Sequence, residues 1–358
     1  MGYRAQALAL ARELGLKELM GLVLNNLCWP FGAQKQLEQA REVLIEAQAI
    51  WRELGNLPRL AEASRFMLII HSIAGDHRRT LVDAPKLAEL GASIGSHLDE
   101  VEAMGWLAFA HVRQGRFGQA LDCLEQYGAY AESLGHPNEK HGHLYGRIKF
   151  YLAVGALGKA ERWADMLYTQ RETIPPNFIT TYFVEIARVK IASGRLDEGR
   201  AILDELLAVL PSDAVWSYNI IDIAVGYGEL NLALNQPEEL FAGLEGRVRP
   251  YREAGFGHLL ADEHWLRGRA ELALGQFEAA RAALLEARAV AEAQEERAVL
   301  WQILASLAGV EEVCGDAAAA KKLRDQARGM VDDIAAHAGE LRAAFLGQPA
   351  VAQLLGKT

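Results

Sequence analysis

The segment GRFGQALDCLEQ, residues 115–126, has a counterpart in GQFEAARAALLE, residues 275–286. Both begin with glycine, have phenylalanine two residues later, alanine three residues after that, and leucine four residues after the alanine. A residue suited to a tight turn recurs every 40 residues on both sides of Gly115, except for one interval of 39 residues and one of 41. A fixed period of this length predicts an array of stacked repeats.

Glycine dominates the position at which each unit would turn. The eight positions are Lys35, Gly75, Gly115, Gly155, Gly194, Asn235, Gly275 and Gly315. Glycine and asparagine tolerate the left-handed backbone that ends a helix and starts a tight turn. A second glycine set with the same period marks the end of the second helix of a unit and comprises Gly15, Gly55, Gly135 and Gly255.

The residues between these stops follow a helical pattern. Ala120, Leu124 and Tyr127 recur at spacings of three and four, and strand patterns are nearly absent. Small residues stand seven positions before and five positions after most turns, so the two helices of a unit can approach closely. We therefore expect Ala120 and Ala280 to be buried against the first helix of their own units.

The sequence thus predicts an all-α fold, a right-handed α-solenoid of stacked antiparallel helix hairpins. We divide the chain into the second helix of a truncated repeat over residues 1–20, eight repeats over residues 21–340, and a C-terminal capping segment over residues 341–358. A lone helix over residues 3–14 should precede the eight helix pairs.

The turn junction resembles that of tetratricopeptide repeats. The resemblance is clearest in LAFAHVRQGRFGQALDCLEQYGAY, residues 107–130, and LRGRAELALGQFEAARAALLEARA, residues 266–289. The standard tetratricopeptide unit has about 34 residues, so these units are longer, and a period near 40 also fits HEAT repeats. HEAT repeats lack the G-x-[FYL]-x-x-A junction and rank second.

The long period also resembles the C-terminal sensor regions of large bacterial signalling ATPases. These include maltose-activator-like transcription regulators and multidomain proteins that join a nucleotide cyclase to an ATPase. The tail ELRAAFLGQPAVAQLL, residues 340–355, is similar to the way the latter arrays end. Residues 1–15 match the end of a second helix whose first helix is missing, so we expect a fragment of a longer protein, with any catalytic domain upstream.

Composition excludes several other classes of protein. The formal net charge of −10 argues against a nucleic-acid surface, which needs a clustered basic patch. The three cysteines lie far apart, which favours neither a disulfide scaffold nor a zinc site. No apolar run reaches the length of a membrane span, and no signal peptide is evident. We expect a cytoplasmic protein with no cofactor, no metal and no membrane contact.

Catalytic motifs are missing from the sequence. HPNEKHGH, residues 136–143, gathers three histidines and a glutamate that could hold a metal, but its position between repeats favours a solvated loop. Paired carboxylates elsewhere are neighbours along a helix and face different directions. We therefore predict that the chain is not an enzyme.

Candidate binding residues come from the first helices of the units, which line the concave groove of such arrays. Aromatic and arginine side chains dominate binding hot spots. The predicted partner-binding residues are Trp29, Arg65, Phe109, Tyr145, Arg188, Glu229, Trp265 and Arg269. The acidic residues placed toward the same groove are Glu62, Glu102, Asp222 and Asp262. In the competing interpretation Trp265 packs between repeats, Arg269 only pairs with a carboxylate such as Glu229, and the acidic residues cap helices.

Three functions compete. The first is a protein-interaction or sensor solenoid of a signalling protein, which binds a partner segment or effector in its groove. The second is a small-molecule effector solenoid that controls an upstream ATPase, cyclase or DNA-binding domain. The third is an enzyme. An open groove would favour the first, a closed apolar pocket the second, and a buried, mutually bonded acid–base set the third. A homo-oligomer is possible.

Overall fold

A computed structural model describes residues 2–210, 219–240 and 244–356, without the side chains of Gly2, Pro30 and Ala33. Within these residues the chain forms α-helices and short 3-10 turns and no strand. The α-helices are α1 Gly2–Glu13, α2 Lys17–Ala33, α3 Leu37–Glu53, α4 Leu57–Ile73, α5 His77–Ile94, α6 His97–Arg113, α7 Phe117–Leu134, α8 Pro137–Val154, α9 Leu157–Thr169, α10 Pro176–Ala192, α11 Leu196–Val209, α12 Ile220–Ala233, α13 Glu245–Glu253, α14 Leu260–Ala273, α15 Phe277–Ala293, α16 Arg297–Val313, α17 Ala317–Ala336, α18 Arg342–Leu346 and α19 Pro349–Leu354.

Successive helices form hairpins that stack along the chain. Each even-numbered helix from α2 to α10 packs against the helix that follows it, and the same holds for α14 with α15 and α16 with α17. Helix α1 packs on α2, and the short helices α18 and α19 pack on α17. These pairs confirm the predicted all-α solenoid. The finer division into residues 1–20, 21–340 and 341–358 stays a prediction.

The sixth unit departs from the regular pattern. After the turn at Asn235 the chain forms a 3-10 turn over Pro237–Glu239, and the next described α-helix, α13, has only nine residues. Pro237 stands in the first turn, where its missing N–H has no helical partner to lose, whereas Pro250 within α13 removes one helical hydrogen bond. Among the described residues, α13 is the one α-helix between this turn and α14.

Every predicted turn position has the left-handed backbone that the sequence required. The φ angles are 60° at Lys35, 57° at Asn235 and between 70° and 86° at the six glycines. Three of these glycines have a second role, because later parts of the chain pack on them: a Cβ at Gly75 would lie 2.6 Å from Nε2 of Gln294. A Cβ at Gly115 would lie 2.8 Å from Cγ1 of Ile334, and one at Gly155 would lie 2.1 Å from Cγ of Gln348.

The small residues at the hairpin contacts are buried as predicted. Ala120 and Ala280 have no exposed surface, and Leu124 and Leu284 fill the next layer. In the α14–α15 hairpin a Cβ at Gly268 would lie 2.5 Å from Cγ of Leu284. The facing positions are small because the helices touch there.

The solenoid also closes on itself, which the sequence analysis did not predict. The C-terminal ends of α4 and α6 meet the N-terminal ends of α14 and α16. The backbone N–H of His258 donates to the carbonyl of Ile73 at 3.1 Å, and that of Gly118 donates to the carbonyl of His337 at 3.2 Å. Early and late units therefore meet at one side of the predicted groove, and we call the partly open cavity beside this contact the lumen.

Candidate functional site

The lumen is a cavity of about 730 Å³ on the concave side of the solenoid. The first helices of five units surround it, namely α4, α6, α8, α10 and α12, with contributions from α2, α7 and the segment before α14. We define the lumen by its aromatic residues Trp29, Phe66, Trp106, Phe109, Tyr127, Tyr145, Phe178 and Tyr182 and its charged or titratable residues Arg65, Glu102, His136, Glu139, Lys149, Asp222 and His258. Its walls are mainly apolar, and its volume lies in the range of small-molecule sites.

Tyr127 reaches the lumen from α7, a second helix, because glycines leave room for it. A Cβ at Gly105 of α6 would lie 3.1 Å from Cε1 of Tyr127, and a Cβ at Gly142 of α8 would lie 2.2 Å from its hydroxyl. The Tyr182 hydroxyl lies 3.9 Å from the same point at Gly142. The two glycines therefore bring two phenol groups together in the wall of the lumen.

Two carboxylates belong to the same wall. Glu102 lies one helical turn before Trp106 on α6, and Glu139 lies on the first turn of α8. Burial raises the pKa of Glu102, and the nearby Glu139 raises it further, against the attraction of Arg65. Burial also raises the pKa of Glu139. Desolvation thus disfavours the charged form of both groups.

The cations of the lumen have carboxylate partners. Nε of Arg65 lies 2.9 Å from Oδ1 of Asp99, and Nζ of Lys149 lies 3.5 Å from Oε1 of Glu185. Lys149 also donates to the Tyr145 hydroxyl at 3.2 Å and lies 4.2 Å from the centroid of the Phe109 ring. Burial lowers the pKa of Lys149. Both cations are therefore already engaged by the protein.

Asp222 and His258 form a buried pair at the edge of the lumen. His258 Nε2 lies 2.9 Å from Oδ1 of Asp222, and the His258 ring packs against Phe109 with centroids 6.1 Å apart. Burial alone would raise the pKa of Asp222, but His258 and Lys149 outweigh it and hold that pKa low. Because the His258 backbone also bonds to Ile73, this pair lies where the ring closes.

A second buried cluster joins early and late units, and we call it the clasp. It consists of His77, Arg113, Asp262 and Glu296. The Arg113 guanidinium bonds to both oxygens of Asp262, at 2.5 and 3.2 Å, and to both oxygens of Glu296, at 2.7 and 2.8 Å. His77 Nε2 lies 2.8 Å from Glu296 Oε1. Although burial opposes it, Arg113 and His77 lower the pKa of Glu296 to about 2.

Four of the predicted partner-binding residues meet in the lumen. Trp29, Arg65, Phe109 and Tyr145 all line it, although they come from four different units. Glu102 and Asp222, which were predicted to face the groove, line it as well. Whether these residues bind a partner stays a prediction.

The other four predicted residues lie outside the lumen and interact with one another or with neighbouring helices. Nη2 of Arg188 lies 2.7 Å from Oε1 of Glu229. Trp265 donates from Nε1 to the Ser306 hydroxyl at 3.0 Å, and the Arg269 guanidinium lies 4.8 Å from the centroid of the Trp265 ring. Glu229 thus pairs with Arg188, and Arg269 lies over the Trp265 ring; a role of these four residues in partner binding stays a prediction.

The histidine-rich segment over residues 136–143 is not a loop, so the solvated-loop interpretation was wrong. Helix α8 begins at Pro137, because proline suits the first turn of a helix. His141 is buried with Nε2 3.1 Å from the Thr173 hydroxyl, and His143 packs between the rings of Tyr127 and Trp163. Burial lowers the pKa of His143 to about 4. Across the described part of the chain, no group of three His, Cys, Asp or Glu side chains is placed to hold a metal.

Sequence reasoning missed Trp106, Tyr127, Glu139 and Tyr182. None of the four was among the residues assigned to the groove, and Tyr127 belongs to a second helix. The available signal was the pair of glycines on the flanking first helices, Gly105 and Gly142, whose missing side chains admit the Tyr127 ring.

Comparisons with known proteins support the fold. No protein-family model matches the chain, and no curated protein sequence matches it. A solved structure of a Rap protein complexed with Competence and Sporulation Factor is similar over 94% of this chain and 96% of its own, with 15% identity and a TM-score of 0.52. The apo form of RapI covers 94% and 84% at 13% identity and a TM-score of 0.42.

A tetratricopeptide repeat protein from Parabacteroides merdae ATCC 43184 covers 79% of this chain and 98% of its own, at 17% identity and a TM-score of 0.44. Among the described residues no helix is both long and apolar enough to cross a membrane. At these identities the Rap likeness shows the fold alone. The chain therefore has a tetratricopeptide-like helical repeat fold.

Proposed function

We propose that this protein is a non-catalytic sensor solenoid that binds an effector or a partner segment in its lumen. The observation that carries the proposal is the convergence of four predicted binding residues on one aromatic cavity of about 730 Å³. The similar Rap structure is complexed with Competence and Sporulation Factor, which supports a binding role for this fold.

Closure of the solenoid favours the small-effector alternative over an extended partner. The clasp and the His258–Ile73 backbone bond link units that are distant in sequence, so the concave side is not an open groove. Cavities of this size enclose most of the surface of a small ligand. A long helical or extended partner would have to open the clasp.

An enzymatic role has less support from the geometry. The Asp222–His258 pair is buried and lines the lumen, as a catalytic pair would. The same histidine, however, is fixed by its backbone bond to Ile73 and by its packing on Phe109. We assign the pair to ring closure and to orientation of the lumen wall.

The wider context belongs to the same proposal. We infer a cytoplasmic regulatory protein that couples the lumen to an ATPase, cyclase or DNA-binding domain, on the basis of the repeat period and the tail at residues 340–355. In this account the array binds its effector without a resident cofactor and without contact to nucleic acid or membrane.

A filled-lumen variant tests the proposal. Ser72 of α4 lines the lumen, whereas Ser133 of α7 is exposed outside it. Ser72→Trp should occupy part of the cavity, and Ser133→Trp is the matched control. A thermal-shift screen of small metabolites and short peptides against all three proteins should find compounds that raise the Tm of the wild type and of Ser133→Trp but not of Ser72→Trp. Compounds that stabilise all three proteins equally would contradict the proposal.

A further inference from the structure

Some charged side chains of the lumen form ion pairs within the protein, and two carboxylates do not. Arg65 is engaged by Asp99, Lys149 lies beside Glu185 and Asp222, and Asp222 is bonded to His258. Neither Glu102 nor Glu139 forms an ion pair within 4.0 Å with any described residue. The two carboxylates thus lack a direct ionic partner: Arg65 attracts both at longer range, Glu102 bonds to Trp106, and Glu139 bonds to Tyr127.

The surroundings of these carboxylates suit a cation. Tyr127 and Tyr182 approach each other at Gly142, one turn along α8 from Glu139, and Trp106 stands one turn along α6 from Glu102. Aromatic faces attract cations through their ring quadrupoles, and the attraction is stronger where water is excluded. The Tyr127 and Tyr182 hydroxyls stay protonated, since burial raises the pKa of both phenols. These phenols add apolar surface and dipoles to the wall but no charge.

We propose that the lumen binds a small organic cation, with its charged nitrogen between Glu102 and Glu139 and its apolar body against Trp106, Tyr127 and Tyr182. This inference rests on the proposed effector-binding function and names the chemical class of the effector. The cation supplies the missing ionic partner, and the aromatic wall replaces the water that its apolar part gives up.

An anionic effector fits the same cavity less well. Its negative charge would meet Glu102 and Glu139, and the two cations that line the lumen would have to leave Asp99 and Glu185 in order to bind it. The cost of leaving those buried carboxylates unpaired works against that exchange. The charge of the lumen therefore selects for a cation.

Three probes with one common body test the charge requirement. Phenethylamine is a cation at neutral pH, phenethyl alcohol is neutral, and hydrocinnamate is an anion. Isothermal titration of the full chain should show phenethylamine binding at least about tenfold more tightly than the alcohol, since charge-assisted contacts are roughly twice as strong as neutral ones. Hydrocinnamate should bind most weakly.

The double variant Glu102→Gln/Glu139→Gln separates charge from shape. It should bind phenethylamine and the alcohol with similar affinity, so that the preference for the cation is lost. Glu132→Gln is the matched control, because Glu132 of α7 is 76% exposed and pairs only with Lys140 at the surface. This control should keep the wild-type preference, and both variants should keep the Tm of the wild type within a few degrees.

The outcomes distinguish this inference from the function on which it rests. A preference for phenethylamine that disappears in Glu102→Gln/Glu139→Gln supports it. If the alcohol or hydrocinnamate binds as tightly as phenethylamine, and Ser72→Trp abolishes that binding, the cation class is wrong while the lumen stays a binding site. If none of the three probes binds at millimolar concentration, the inference is overturned, and the metabolite and peptide screen with Ser72→Trp decides the lumen function independently.

Discussion

The candidate binding residues in the N-terminal half of the concave side differ in their surroundings from those in the C-terminal half. Both sets were chosen in the same way, as hot-spot residue types on the first helices. Trp29, Arg65, Phe109 and Tyr145 line the lumen, whereas Arg188, Glu229, Trp265 and Arg269 lie outside it. In the C-terminal half the arginines contact Glu229 and the Trp265 ring, and Trp265 bonds to Ser306. The same residue types thus line a cavity in one half and pack against neighbouring helices in the other, so residue type alone does not identify a binding hot spot.

Closure of the solenoid explains why the halves diverge. The clasp joins α6 to the N-terminal ends of α14 and α16, where carboxylates are favoured by the helix dipole. First helices from α2 to α12 therefore line the cavity, and the later units contribute His258 to its lining. Each prediction below separates the two halves or tests the closure between them.

The largest expected effect is on closure. Arg113→Met should lower the free energy of unfolding by about 3–5 kcal/mol, because Asp262 and Glu296 would remain buried without a countercharge. Arg195→Met is the control, since Arg195 pairs with Glu198 at the solvent-exposed surface and its loss should change stability little. Urea unfolding of both variants measures the difference. Equal destabilisation by the two substitutions would mean that the clasp does not hold the ring closed.

The next effect concerns Trp265. Because this ring is half-buried, Trp265→Ala should cost about 2–3 kcal/mol of stability, less than the roughly 3–5 kcal/mol of a fully buried aromatic residue. The folded fraction of this variant should bind phenethylamine with unchanged affinity. Arg269→Ala should change neither the stability nor the affinity for phenethylamine by much. Thermal unfolding and titration on the same samples check this. If Trp265→Ala loses phenethylamine binding and keeps the wild-type Tm, Trp265 belongs to the binding surface and this prediction is wrong.

A smaller loss of stability, equal in the two halves, is expected from substitutions at the hairpin contact that every unit repeats. Ala120→Leu and Ala280→Leu occupy the same repeat position in the two halves, and both alanines are fully buried. Each substitution should overpack a hairpin contact and cost about 1–3 kcal/mol in urea unfolding. A neutral result at either site would show that the repeat register is wrong in that half.

Much of the fold could be predicted from local patterns. The turn positions, the hairpins and the burial of Ala120 and Ala280 each depend on residues a few positions apart, so a 40-residue period reveals them. Closure could not be predicted, because it depends on small rotations summed over several units and on pairs such as His77 and Glu296, which are 219 residues apart. Of the lumen residues, Trp29, Arg65, Phe109 and Tyr145 were predicted from their places on first helices. Tyr127 was missed because it reaches the lumen from a second helix, through contacts with a neighbouring unit.

The smallest effect is a difference in acid response between two sets of carboxylates. Burial raises the pKa of Glu102 and Glu139, whereas the clasp holds the pKa of Glu296 at about 2. A protonated carboxyl no longer attracts a cation, so affinity for phenethylamine should fall as the pH drops toward the raised pKa values, while Glu296 stays charged. Arg65, Asp99, His136 and Tyr127 also face this pair, so titration of Glu102→Gln/Glu139→Gln over the same pH range serves as the reference and should show a flatter profile. Parallel profiles would contradict the assignment.

The central claim is that a ligand occupies the lumen and not the surface around Trp265. The chain contains seven tryptophans, and Trp29 and Trp106 line the lumen while Trp265 does not. Fluorine NMR of protein labelled with fluorotryptophan, with signals assigned by single Trp→Phe variants, reports on each ring during addition of phenethylamine. The account predicts that the Trp106 and Trp29 signals shift with saturation while the Trp265 signal stays in place. A saturable shift of Trp265 with Trp106 unchanged would contradict it.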